Sequence, residues 1–260
     1  IVAGTFAVVY GILYVANLIH PVLRFCLETF FIYQILATKS LKTESMKVYK
    51  KLKEGDLIGA RKEVSYLVGR DTENLDESEV AKADVETIAE NTADGVIAPM
   101  IFIAIGGAPL GFAYKAVNTL DSMVAYKNEE LINIGFFSAK MDDICNFIPA
   151  RFAAVMLMIA SLILRFDFKG AVKIFKRDRF AHLSPNSAQT EAVAAGALQI
   201  QLGGTHNYFG KAVVKPTIGD DIRPVEYEDI KRTNQLLYVS AVLSMAVCCL
   251  ITFLIYVQLF

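Results

Sequence analysis

The chain has 260 residues, 54% hydrophobic and 20% charged, and 26 basic against 27 acidic side chains leave a net charge of −1. So even a balance gives no electrostatic case for a nucleic-acid partner. The mean hydropathy of +0.41 and an apolar share above the ~45–50% of soluble domains make the placement of the apolar residues decisive.

They fall in runs. Ile1–Ile19 is uncharged, Val22–Ala37 carries only Arg24 and Glu28, and Val96–Phe112 and Phe152–Leu164 carry no charge. Leu236–Phe260 is uncharged over 25 residues, more than the roughly 20 that a spanning helix needs. A soluble core could bury one such segment but hardly five. The expectation is an all-α, multi-pass helical protein of the cell (cytoplasmic) membrane, with four or five apolar segments in one membrane-integrated domain over 1–260. Because Ile1 already lies in an apolar run, an N-terminal piece is expected upstream. No charged region or small-residue cleavage site argues for a signal peptide.

In chain order, Ile1–Ala37 reads as two apolar helices hinged at His20-Pro21, since proline disfavours helix at the residue before it. The polar insert 38–91 has helical period. Its helices are expected over Thr43–Leu52, ending near Gly55, over Asp56–Val68 with Gly69 as stop, and from Asp76 to Asn91, where Glu79 completes a capping box. Gly95–Val117 is interrupted by Gly106-Gly107-Ala108-Pro109 and reads as a broken segment, either a kinked span or two half-helices. The Gly107 and Gly111 spacing also suits close helix packing. Tyr114–Ala150 is expected as a polar helix and Arg151–Arg165 as a short span. The insert 166–235 is expected to be loop-rich, with one helix near Thr190–Gln201 and no strand-rich region. Leu236–Phe260 closes the chain as a spanning helix. Ten Lys and Arg in 38–91 and eleven in 165–232 place both inserts in the cytoplasm. A re-entrant Gly95–Phe112 would change the side of Tyr114–Ala150.

Polar chemistry gathers at the edges of these runs, where ionisable groups cost free energy and are kept for function. Glu86, Glu90 and Asp94 recur at helical spacing, beside Asn91 and Thr92. Like charges four residues apart destabilise by roughly 0.2–0.5 kcal/mol per pair, a cost that an opposing cation offsets; a solvated helix face is the plain alternative. Lys115, Asn118 and Ser122 share a second face with Asp121 on its flank, suited to orienting a phosphate or carboxylate, or simply an interfacial helix with a snorkelling lysine. Asp142-Asp143, with Asn146 and Arg151, suits a hard divalent cation or an N-terminal charge pair. Ser184-Pro185-Asn186 has the look of a helix start whose polar side chains cap or whose N–H groups hold an anion.

Gly203–Lys211 misses a Walker loop at Thr205 and Ala212. A glycine loop touching a ligand through Asn207 and Tyr208 stays open. Cys26, Cys145, Cys248 and Cys249 show no C-x-x-C spacing and the three histidines are scattered, so neither zinc nor haem is expected.

In this order the motifs resemble one family, the membrane-bound adenosylcobinamide-phosphate synthases of cobalamin biosynthesis (CobD/CbiB). The resemblance is carried by 68–72 (VGRDT), 86–92 (ETIAENT) running on through 94–99 (DGVIAP), 106–109 (GGAP) and 114–123 (YKAVNTLDSM). It continues in Asp142-Asp143 with Asn146, Pro149, Ala150 and Arg151, in 184–186 (SPN), 195–198 (AGAL), 202–204 (LGG), 208–210 (YFG), Lys215-Pro216 and 218–220 (IGD). The chain departs from the family at 187–190 (SAQT), where small and aromatic residues are usual, and it has no Trp.

The resemblance implies ATP-dependent amide formation between adenosylcobyric acid, a corrinoid carboxylate, and aminopropanol or its phosphate. ATP and Mg2+ are implied as co-substrate and metal, the lipid bilayer as surroundings, and a homo-oligomer is compatible with it. On this reading Glu90, Asp94 and Asp121 hold Mg2+-nucleotide, Lys115 orients phosphate, and Asp142 or Asp143 serves as metal ligand or base. Arg70, Asn91, Asn118, Ser122, Asn186, Asn207 and Tyr208 contact substrate. Two other classes compete. A non-catalytic membrane sensor has no need of so many acid, amide and lysine positions, and a transporter built on the break at Gly106–Pro109 should carry its carboxylates within the spans.

Overall fold

The computed structural model describes residues 1–124, 132–208 and 210–259. Four helical runs are long and apolar enough to cross a membrane: Val2–Ile19, Glu77–Met123, Gly135–Ile163 and Tyr227–Leu254. The chain is therefore a multi-pass helical membrane protein, as its composition led us to expect. It divides into two compact units, Ile1–Ala37 with Asp94–Pro149 and Ser244–Phe260, and Thr38–Ala93 with Ala150–Leu243. The two polar inserts thus pack into one unit, although they are far apart in sequence.

In the first unit α1 (Val2–Ile19) and α2 (Pro21–Ile35) meet at His20, whose extended backbone and Pro21 form the expected hinge. Leu18 and Phe25 are 68% and 70% exposed, a face suited to lipid and not to water. A π-helical turn, Thr92–Ile97, leads into α6 (Ala98–Val124). α6 is broken where expected: Gly106 and Gly107 leave helical geometry, and Gly107 takes φ 64°, a left-handed conformation that glycine adopts without a Cβ penalty. Glu28 Oε1 reaches the freed Ala108 N–H at 3.4 Å. Val9, Leu13 and Ala108 form a small core with Phe31 and Phe112 against it, the two rings edge to face at 5.6 Å.

α7 (Ile132–Ile163) corrects two expectations. Asp142 and Asp143 lie in its interior, so they are no N-terminal charge pair, and the span begins at Gly135 instead of Arg151. Asp142, Asp143 and Asn146 therefore sit within a candidate span, not at its edge. Pro149 is tolerated inside α7, as prolines are in membrane helices. Residues 125–131 of the polar segment expected over 114–150 lie outside the described residues.

In the second unit α3 (Thr38–Lys53) starts five residues before the expected Thr43 and stops before Gly55. α4 (Leu57–Ser65) is capped by Asp56, which accepts from the Gly59 N–H at 2.8 Å. α5 (Glu77–Asn91) carries the expected capping box, with Asp76 and Glu79 each accepting the other's main-chain N–H at 2.8 Å. α8 (Phe168–Asp178) is capped by Asp167 and packs against α9 (Ser187–Leu198). A Cβ on Gly196 would strike the Gly170 carbonyl, so the two backbones touch there. All twelve residues of α9 are buried.

The region read as loop holds an antiparallel hairpin, β1 (Leu202–Tyr208) and β2 (Lys211–Ile218), pairing Leu202 with Ile218 and Tyr208 with Lys211 around an irregularity between Gly203 and Thr205. Its strands do not alternate apolar with polar residues, which concealed them. Asp178 anchors its exit by accepting from the Gly219 N–H at 2.8 Å. α10 (Tyr227–Leu259) closes the chain. Its start is tied by Asp229, fully buried, which takes two bonds from Arg223 (2.8 and 2.6 Å) and one from Arg232 (2.7 Å).

Candidate active site

The second unit holds a polar cavity of about 170 Å3. Its walls come from five places in the sequence. α5 offers Glu86, Glu90 and Asn91, the loop before α5 offers Arg70, α9 offers Glu191, and the hairpin offers His206, Tyr208 and Lys215; His182 comes from the segment ahead of α9.

At its floor Arg70 pairs with Glu86, both side chains 8% exposed. The other oxygen of Glu86 accepts from the Gly203 N–H at 2.6 Å, so α5, the Arg70 loop and β1 meet in one charge-assisted knot. Arg70 Nη1 lies 3.2 Å from each ring nitrogen of His206. Burial and the Arg70 charge hold that imidazole down to about 4, which leaves it neutral at pH 7. Burial also lowers the pKa of His182, against the opposing pull of Glu90.

Higher on the wall Glu90 accepts from the Ser187 hydroxyl at 2.7 Å. Glu191 is 5% exposed, and among the described residues no hydrogen bond to its carboxyl group is found. Burial, reinforced by the Glu90 and Glu86 charges, pushes its pKa well above the carboxylate range. Lys215 stands over the Tyr208 ring at 5.3 Å.

The expected site residues divide between the units. Arg70, Glu90, Asn91 and Tyr208 line this cavity, although the Asn91 amide donates to its own helix at Thr87 O, 2.9 Å. Asn186 and Asn207 do not line it. Asn186 precedes α9, as expected, but does not cap it: its side-chain oxygen accepts from Arg151 Nη1 at 3.2 Å. The main-chain oxygen of Asn207 accepts from the Asp71 N–H at 2.8 Å.

The other expected residues belong to the first unit, where Asp142 is the centre of a buried network. Asn118 donates to one of its oxygens at 3.3 Å and Asn146 to the other at 3.0 Å. The Tyr114 hydroxyl lies 2.8 Å from Asn146 Oδ1 and 2.9 Å from Asp94 O. Lys115 and Asp121 are half-buried on α6, and Asp143 pairs with Lys140 at 3.3 Å. Ser122 is exposed and donates to Asn118 O at 2.6 Å. The π turn after Asn91 shifts the helical spacing, so Asp94 does not continue the row of Glu86 and Glu90.

Among the described residues no three His, Cys, Asp or Glu side chains converge as metal ligands. Mg2+ that arrives with nucleotide phosphates needs only one or two carboxylates, and single carboxylates are offered in both units.

Sequence reasoning missed Glu191, His182, His206 and Lys215 as wall residues. The signal for Glu191 was present: it is the one charge in a twelve-residue helix otherwise made of small, amide and apolar residues.

A family model described as CobD/Cbib protein matches residues 1–237. The chain is 54% identical over 251 residues to cobalamin biosynthesis protein CobD of Clostridium perfringens, covering 96% of this chain and 80% of that protein. It is 51% identical over 243 residues to CobD of Listeria monocytogenes (94% and 77%). To cobalamin biosynthesis protein CbiB of Salmonella choleraesuis it is 48% identical over 246 residues (95% and 77%). No solved structure matches the chain.

Proposed function

The chain belongs to the CobD/CbiB family, and from that premise we propose that it is the ATP-dependent ligase that joins adenosylcobyric acid to aminopropanol or its phosphate. Its place in cobalamin biosynthesis follows the names of its relatives; the amide-forming reaction is our reading.

A corrinoid carboxylate does not react with an amine at useful rates until its oxygen is made a leaving group. Phosphorylation by ATP does this, releasing ADP and giving an acyl phosphate from which the amine displaces orthophosphate. Mg2+ bound with the nucleotide supplies charge neutralisation at the phosphates. Glu90 in the cavity, and Asp94 and Asp121 in the other unit, are the carboxylates we propose for it, with Lys115 as a phosphate partner and Asp142 or Asp143 as a further acidic group. Asn118 and Ser122 on α6, and Asn186 and Asn207 outside the cavity, are retained as proposed substrate contacts.

The observation that carries the reading is the cavity itself. Two cations, Arg70 and Lys215, and three carboxyl groups, Glu86, Glu90 and Glu191, line one small space. At about 170 Å3 it is below the ~300–1,000 Å3 of sites that take drug-sized ligands. It suits a small charged reactant such as the amine and not a corrinoid ring.

The test is an assay of the purified chain in detergent with adenosylcobyric acid, aminopropanol phosphate, ATP and Mg2+. Amide product from wild type, lost in Glu90→Ala with the fold intact, supports the assignment. Absence of product from folded wild-type protein overturns it.

A further inference from the structure

α6 does not run on through its break; it turns back. Phe102 stacks on Tyr114 with ring centroids 4.8 Å apart, and the Tyr114 hydroxyl lies 2.9 Å from Asp94 O. An uninterrupted helix, rising about 1.5 Å per residue, would hold these pairs about 18 and 30 Å apart. A Cβ on Gly111 would likewise strike Ile103, which precedes it in the same element. The leg from Ala98 to Ile105 is about 12 Å long, well short of the ~30 Å hydrocarbon core. The two legs therefore begin and end at one level, with Asp94 beside Tyr114.

The second unit fixes how often the chain crosses between its inserts. Residues of the first insert bond directly to residues of the later one: Asp71 to Gly210, Glu86 to Gly203 and Glu90 to Ser187. Both inserts are thus on one side of the bilayer, and the chain between them crosses an even number of times. Between them lie the folded-back α6, residues 125–131 and α7. The short stretch 125–131 includes Lys127, Glu129 and Glu130 and is far shorter than the roughly 20 residues of a spanning helix. With α6 returning, a single crossing by α7 would make the count odd. We infer that α6 is a re-entrant hairpin and that α7 does not cross, but lies in the membrane surface with one face on the lipid of the leaflet beside the inserts.

α7 has the make-up that this position demands. Phe137, Ile144, Ile148, Val155, Ile159 and Leu162 are exposed and, at helical spacing, form one narrow stripe along it. Asp142, Asn146, Ala153, Leu157 and Ala160 are buried on the opposite side. Lys140, Asp142, Asp143 and Arg151 all fall within Gly135–Ile163. Such charges burden a helix that passes through the bilayer midplane. They cost little in an amphipathic helix lying in the interface, whose polar face is wetted. This placement does not depend on the ligase reading. It puts Asp142 and Asn146 on the aqueous side that holds both inserts.

The test uses the full chain in vesicles sealed with the inserts outward. Each variant carries one cysteine in a background whose four native cysteines are replaced by serine. Ser65→Cys, exposed on the first insert, reports the orientation. Met123→Cys, 74% exposed at the end of α6, is expected to react with a membrane-impermeant maleimide as fully as Ser65→Cys before the vesicles are opened. Reaction only after detergent is added puts Met123 on the far side and overturns the inference. Nitroxides at 144, 148, 159 and 162 then measure immersion by power saturation with oxygen and a nickel chelate. An in-plane α7 is expected to give one shallow depth at all four. In a spanning helix these positions spread over about 27 Å along the membrane normal, so depths that rise and fall along α7 overturn its placement.

Discussion

The Gly203 N–H donates to Glu86 Oε1 at 2.6 Å, fastening the hairpin to α5 through a carboxylate already held by Arg70. Removing that carboxylate strands a buried guanidinium. Glu86→Ala is expected to destabilise the second unit by about 3–5 kcal/mol, the usual cost of breaking a buried pair from one side. Chemical denaturation in detergent measures it. A loss under about 1 kcal/mol, the range of a solvated pair, would show that water reaches Arg70 freely.

Glu191 should act on stability with the opposite sign. Its folded pKa is raised, so the folded chain holds a proton that the unfolded chain has released once the pH exceeds the ordinary value of 4.5. That difference favours folding only at low pH and is lost as the pH rises. Glu191→Gln should therefore be more stable than wild type at pH 8. The gain should vanish near pH 4. An unchanged melting point at pH 8 would contradict the burial described.

His206 works on the acid side. Its ordinary value of 6.5 falls to about 4 in the folded chain, so between these values the unfolded chain binds a proton that the folded one refuses. Stability is complete above pH 6.5 and declines as the pH falls towards 4. At about 1.4 kcal/mol per pH interval of one the ceiling is near ~3 kcal/mol, and solvent at a half-buried ring reduces it. His206→Gln should flatten that slope in melts between pH 7 and 4.5. A slope equal to wild type counts against the placement of the ring over Arg70.

Gly196 marks the contact of α8 with α9. A methyl group there meets the Gly170 carbonyl, which is main chain and cannot swing aside. Gly196→Ala is expected to cost about 1–3 kcal/mol by overpacking, whereas Ala197→Gly adds no atom and should cost about 1 kcal/mol in helix propensity besides one buried methyl group. Thermal unfolding of the two variants side by side decides the matter, and equal losses would remove the special role of Gly196.

Local chemistry made some of this architecture legible. The hinge at His20-Pro21, the capping box of Asp76 and Glu79 and the break at Gly106-Gly107 each depend on a few neighbouring residues, and each stands where its residues place it. The hairpin was illegible because Thr205, His206 and Asn207 show no apolar alternation, and its pairing of Leu202 with Ile218 is a longer-range fact. Arg70, Glu90 and Tyr208, named from motif and charge, line the cavity. Glu191 was passed over because α9 is buried on every side and so has no polar face on which an acid would be noticed. Asn186 shows the converse: a residue well suited to capping turned its amide to Arg151, a partner 35 positions away in the chain.

The interruption of α6 bears on how the protein enters its bilayer. Main-chain groups released at Gly106 and Gly107 have no partner in hydrocarbon, and Glu28, supplied by α2, carries a charge that lipid alone does not accommodate. Each segment thus brings a liability that the other relieves where Glu28 reaches the Ala108 N–H. The break in α6 and the acid on α2 are thus complementary, and neither can be altered without exposing the other's polar group.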